Sequence, residues 1–112
     1  MSRLTPEGAV KVKVKALLCA HKVYWYMPSA ATYGKSGFPD ILCCVNGYFL
    51  TVECKAGHNK PTALQEREMD NIRKSGGIAL VINEDNMDTL AVHLDALKKK
   101  YDLDMARIWQ NG

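Results

Sequence analysis

Asp40, Glu53 and Lys55 are the residues of this chain whose types and spacing can do chemistry together. Asp40 closes the run Gly37-Phe38-Pro39-Asp40, and thirteen residues later comes Glu53-Cys54-Lys55. Two carboxylates brought side by side repel each other and destabilise the fold unless a cation lies between them. Their hard oxygens suit Mg²⁺ or Mn²⁺, ions that keep several waters and share their remaining positions with a bound anion. A lysine on the same face supplies a proton that a neighbouring cation makes easier to lose, or a contact for that anion.

This chemistry requires elements that place Asp40 beside Glu53. Ile41 to Val45 and Tyr48 to Lys55 are apolar, β-branched and aromatic runs separated by Asn46-Gly47, the strongest short-range signal for a two-residue type I′ hairpin. Such a turn fixes the register. Val45 faces Tyr48, Cys44 faces Phe49, Cys43 faces Leu50, Leu42 faces Thr51, Ile41 faces Val52, and one step further Asp40 faces Glu53. Lys55, two residues on, returns to the face of Glu53.

The remaining elements follow from periodicity. Thr5-Pro6-Glu7 reads as a helix start with Thr5 as N-cap, and Val10, Val14, Leu17 and Leu18 recur at helical spacing. The alternation from Val10 to Lys15 also fits a strand, but Pro6 and the continuing Ala16-Leu17-Leu18 favour a helix. Val23 to Tyr26 predicts a strand, followed by a loop from Pro28 to Gly37. Gly57-His58-Asn59-Lys60-Pro61 is a turn, Thr62 to Ser75 a helix ended by Gly76-Gly77, and Ile78 to Ile82 a short buried strand. A last helix runs from about Asp85 or Met87 to Tyr101 on Leu90, Leu94 and Leu97. The tail beyond it has no assigned structure, although Ile108 and Trp109 suggest docking, at a subunit interface for instance.

Gly37-x-Pro39-Asp40, Glu53-x-Lys55, Gln65 near a helix start and Gly76-Gly77 before the final strand, in that order, resemble the VRR-NUC (virus-type replication-repair nuclease) family of the PD-(D/E)xK nuclease superfamily. The resemblance covers roughly Thr5 to Leu97 and also favours the first helix. It implies an α/β fold with a restriction-endonuclease-like core, ordered α-β-β-β-α-β-α, in which helices flank a central mixed sheet. It implies a DNA endonuclease dependent on Mg²⁺ or Mn²⁺, with Asp40, Glu53, Lys55 and Gln65 catalytic. The metal would be held by Asp40, Glu53, the Cys54 carbonyl and Glu7, the last resembling the first-helix acid of many superfamily members. Stand-alone members, common in phages and bacteria, look like Holliday-junction-resolving enzymes. Cutting both strands of a four-way junction needs two sites, so a homodimer is the economical expectation.

Each residue also has a plainer reading. Asp40 is a turn former after proline, and Lys55 a salt-bridge partner for Glu53. Thr62-Ala63-Leu64-Gln65 matches the capping box, in which Gln65 only bonds back to the Thr62 amide. Glu7 is an ordinary first-turn glutamate. Lys35, His58 and Lys60, on loops bordering the predicted site, are expected DNA backbone contacts or else solvated charge. Lys98-Lys99-Lys100 fits a solvated helix end. Tyr24, Trp25 and Tyr26 read as core aromatics rather than base-stacking ones. Three alternatives remain in view: a flap or duplex DNA-processing nuclease, a non-catalytic DNA-binding module of the same fold, and a cysteine-based redox or zinc protein.

Composition narrows these. The chain has 112 residues, 47% hydrophobic, with a net charge of +3, which implies one domain able to bury a core and compatible with nucleic acid. No apolar run of about 18 residues and no secretion signal pattern is present, so a cytoplasmic protein of a bacterial or phage-infected cell is expected. Cys19, Cys43, Cys44 and Cys54 lack paired spacing and read as reduced core residues.

Overall fold

The computed structural model describes residues 4–29 and 36–111. Its elements run α1 (Pro6–Ala20), β1 (Tyr24–Tyr26), β2 (Ile41–Val45), β3 (Tyr48–Cys54), α2 (Ala63–Lys74), β4 (Ile78–Ile82) and α3 (Met87–Asn111). The four strands form one mixed sheet in the order β1-β2-β3-β4. β1, β2 and β3 are antiparallel neighbours, whereas β3 and β4 are parallel and joined through α2. A parallel pair needs such a crossover, because a tight turn cannot reverse the chain twice.

The turn between β2 and β3 takes positive φ at both central residues, 52° at Asn46 and 89° at Gly47, as type I′ requires. The register is the expected one, from Val45 opposite Tyr48 to Ile41 opposite Val52. Thr5 caps α1, its hydroxyl accepting from the Gly8 amide at 2.9 Å, with Pro6 in the first turn.

Two layers of helices cover the sheet. Leu50, Val52 and Cys54 of β3 join Ile41, Cys43 and Val45 of β2 in a core closed by Val10, Val14 and Leu18 of α1 and Leu90, Leu94 and Leu97 of α3. On the opposite face Met69 and Ile72 of α2 pack on Ala79, with Phe38 and Val81 against them. No helix among the described residues is long and apolar enough to cross a membrane.

Three expectations are corrected. Tyr24 and Tyr26 are exposed, and only Trp25 packs into the core. Both tyrosines stand on the α2 side of an edge strand, and α2 lies over β4 rather than β1. Cys44, directly opposite Tyr24, is exposed for the same reason, and Cys19 is exposed at the end of α1, so only Cys43 and Cys54 are core thiols. The last helix passes Tyr101 and continues to Asn111. Nothing from Asp102 to Gln110 breaks a helix, and Lys98 pairs with Asp102 at 2.9 Å across one turn.

Candidate active site

The site forms where β2 begins and β3 ends. Asp40 sits one step before Ile41, and its Oδ2 accepts a hydrogen bond from the Cys54 amide at 2.9 Å. In return the Asp40 amide donates to Glu53 Oε1 at 3.1 Å. These bonds continue the hairpin ladder through side chains and hold both carboxylates at one end of the two central strands. The approach of Asp40 is set by Gly37, whose φ is +83° and whose missing Cβ leaves room for Leu64 of α2. A methyl group there would lie 2.7 Å from the Leu64 side chain and 2.9 Å from its carbonyl oxygen. The glycine therefore lets the Phe38-Pro39-Asp40 segment press against the first turn of α2, which carries Gln65.

Glu53 is only 2% exposed. Its Oε2 receives the Gln65 amide at 2.8 Å and faces the Lys55 ammonium at 3.3 Å. Burial first, and the negative charge of Asp40 second, push its carboxyl up to about 7, against the pull of Lys55. A carboxylate so placed favours any added positive charge. This donor set, two adjacent carboxylates of which one is short of compensation, fits a hard divalent cation. The Cys54 carbonyl fits the same set: in an extended strand a residue's N–H and C=O point to one side, and the Cys54 N–H points at Asp40. The Cys54 thiol is turned into the core, where burial and the Asp40 charge push it up to about 12.

Gln65 caps α2 and also reaches Glu53. Its Oε1 accepts from the Thr62 amide at 2.9 Å, completing the capping box, while its Nε2 donates to Glu53. The two ends of one amide thus tie the start of α2 to the acid of β3.

Glu7 reaches this cluster through a residue that the sequence reading passed over. Lys11, one turn along α1, places its ammonium 3.6 Å from Glu7 Oε2 and 3.6 Å from Asp40 Oδ1. Burial lowers its pKa, but Asp40, Glu7 and Cys54 outweigh that and leave it above the ordinary lysine value. The available signal was the i,i+4 spacing from Glu7, which is common on solvated helices. Among the described residues no three His, Cys, Asp or Glu side chains stand together as a metal-holding group, and Glu7 meets Asp40 only through Lys11.

The outer residues are less engaged. Lys35 lies outside the described residues. His58 and Lys60 are exposed on the turn after Lys55, lining a cleft of about 400 Å³ with Asn59, Asn83 and Asn86. The Gly57 amide anchors this turn by donating to the Glu84 carboxylate at 2.6 Å. A cavity of about 450 Å³ between Phe38, Phe49, Ile72 and Gly77 does not include Asp40, Glu53 or Lys55. Those three residues lie at the strand ends instead.

No family model matches the chain, and neither does any curated protein. A solved structure described as a VRR_NUC domain protein shares its fold, with a TM-score of 0.65 and 21% sequence identity over 85% of this chain and 92% of that one.

Proposed function

We propose that the chain is a divalent-metal-dependent DNA endonuclease of the VRR-NUC type, hydrolysing phosphodiester bonds at the site built by Asp40, Glu53, Lys55 and Gln65. The observation that carries this reading is Glu53, a buried carboxylate held against a second one by Asp40, Gln65 and Lys55. A stability-driven design would not place two acids at one apolar strand end. The likeness of fold to a VRR_NUC domain protein supports it.

Asp40, Glu53 and the Cys54 carbonyl would hold Mg²⁺ or Mn²⁺, which when bound supplies a Lewis acid for the phosphate and acidifies water. Lys55, 13% exposed, keeps its ammonium at the mouth of this set, where it can hold a phosphate oxygen or orient the attacking water. Gln65 fixes the Glu53 carboxylate so that its geometry does not change as charge builds up in the transition state. His58 and Lys60 lie on a turn leading from Lys55 and suit sequence-independent contacts to the DNA backbone. In line with stand-alone VRR-NUC proteins, a homodimer acting on Holliday junctions is the preferred substrate reading, two sites being needed for paired nicks.

The test compares wild type with Asp40→Asn on labelled four-way junction, flap and linear duplex, in Mg²⁺, Mn²⁺ or EDTA. Asparagine keeps the acceptor for the Cys54 amide, so the variant should fold. Metal-dependent cutting lost in the variant is expected, with paired symmetric nicks on the junction and a dimer by light scattering. Folded protein that binds the metal and cuts none of these substrates would overturn the catalytic reading.

A further inference from the structure

Lys11 is the unexplained member of the site. Its side chain is 28% exposed and touches neither solvent-facing helix partners alone nor Glu53, but bridges Glu7 of its own helix and Asp40 of another element. A lysine pairing only with Glu7 would be an ordinary helix-surface ion pair. Reaching Asp40 as well makes it the positive charge that α1 delivers to the acid cluster.

We propose that Lys11 is a resident counter-ion that competes with the divalent cation for Asp40, so that ion entry and withdrawal of its ammonium toward Glu7 are coupled. The inference rests on the metal-dependent reading above and adds a residue that tunes it. The geometry sets the conflict. An oxygen-bound Mg²⁺ lies about 2.1 Å from its ligand, and Lys11 Nζ is 3.6 Å from Asp40 Oδ1. Any ion on that oxygen would therefore fall within about 6 Å of the ammonium unless the lysine moves. A double and a single positive charge at that separation repel enough, even with the screening of bulk water, to weaken ion binding roughly ten-fold at low salt. Glu7 then has a defined role. It gives the ammonium displaced from Asp40 a partner on α1.

The experiment measures Mn²⁺ affinity by calorimetry and by electron paramagnetic resonance, without DNA, for wild type, Lys11→Met, Lys11→Arg and Lys13→Met. Lys13 is an exposed lysine of the same helix and serves as the charge control. The expected result is binding roughly ten-fold tighter in Lys11→Met at low salt, near wild type in Lys11→Arg, and little changed in Lys13→Met. The gain should shrink as salt is raised. Unchanged or weaker binding in a folded Lys11→Met would overturn the proposal, and so would an equal gain in Lys13→Met, which would make the effect one of net charge. A wild type that binds no Mn²⁺ at all would fail the metal-dependent reading itself, whereas failure in Lys11→Met alone leaves that reading standing.

Discussion

The buried glutamate should contribute to the stability of the metal-free protein with a pH dependence opposite in sense to that of most stabilising carboxylates. Burial and the neighbouring Asp40 raise Glu53 from the ordinary 4.5 to about 7 in the folded chain. Between these values the folded state holds a proton that the unfolded state has released, so stability falls as pH rises. The contribution is fully present below 4.5 and lost once the pH has passed 7. A shift of this size corresponds to about 3 kcal/mol, or roughly 10 °C in Tm for a chain of this length. The assay is thermal unfolding in EDTA across this pH range, for wild type and for Glu53→Gln. The variant has no proton to lose at this position, and subtracting its curve removes the contributions of other groups. Wild type should lose about 3 kcal/mol relative to the variant across the range. Added Mg²⁺ should restore wild type above pH 7 and leave the variant unmoved, because the cation rewards the ionised form. A difference between the two proteins that is flat with pH, or that moves in wild type's favour, would refute the argument.

Other substitutions separate roles that the structure joins. Gln65→Glu keeps an acceptor for the Thr62 amide but sets a third carboxylate against Glu53. It should preserve the helix cap, lower activity by about 10²-fold or more and destabilise the metal-free fold by repulsion, whereas Gln65→Ala should cost about 1 kcal/mol in denaturant unfolding through the lost cap. Unchanged stability in Gln65→Ala would show that the cap is not what Gln65 provides. Gly37→Ala combines a φ of +83° with contact at 2.7 Å to the Leu64 side chain and 2.9 Å to its carbonyl. Unfolding should show a loss of about 2–4 kcal/mol that Leu64→Ala does not rescue, since the carbonyl clash and the backbone strain remain. Finally, Cys19 and Cys44 should react quickly with a thiol reagent in the native protein, and Cys43 and Cys54 only after unfolding.

How much of this was legible in the sequence depends on whether the signal was local. Asn46-Gly47 dictates its turn and, through it, the pairing of Asp40 with Glu53, because a two-residue loop leaves no freedom in register. Gln65 was legible as a helix cap and, by resemblance, as a site residue, and the structure shows the two are compatible through opposite ends of the amide. Strand propensity read Tyr24, Trp25 and Tyr26 all as core aromatics but could not tell whether a helix covers the face that Tyr24 and Tyr26 share. That is decided by β1 lying at the sheet edge, two strands away from β3, whereas α2 sits over β4. Lys11 was invisible for a related reason: its pairing with Glu7 is local and commonplace, and its reach to Asp40 depends on how α1 lies across the strand ends.

The site is also where β3 breaks the rule that the rest of that strand follows. β3 reads as a buried strand, with Leu50, Val52 and Cys54 on one side and Thr51 on the other, and a glutamate that is 2% exposed does not belong in it on grounds of stability. Its neighbours make that position tolerable without making it comfortable. The Asp40 amide, the Gln65 amide and the Lys55 ammonium occupy the oxygens, yet Glu53 is left at about 7. Full satisfaction by a second buried cation would have stabilised the fold and closed the site to an ion. Partial satisfaction, with one ammonium on Glu53 and another shared between Asp40 and Glu7, leaves the cluster poised to gain from a divalent ion. The hairpin, the close approach at Gly37 and the cap of α2 supply the rigidity that keeps the two acids from moving apart to relieve the strain.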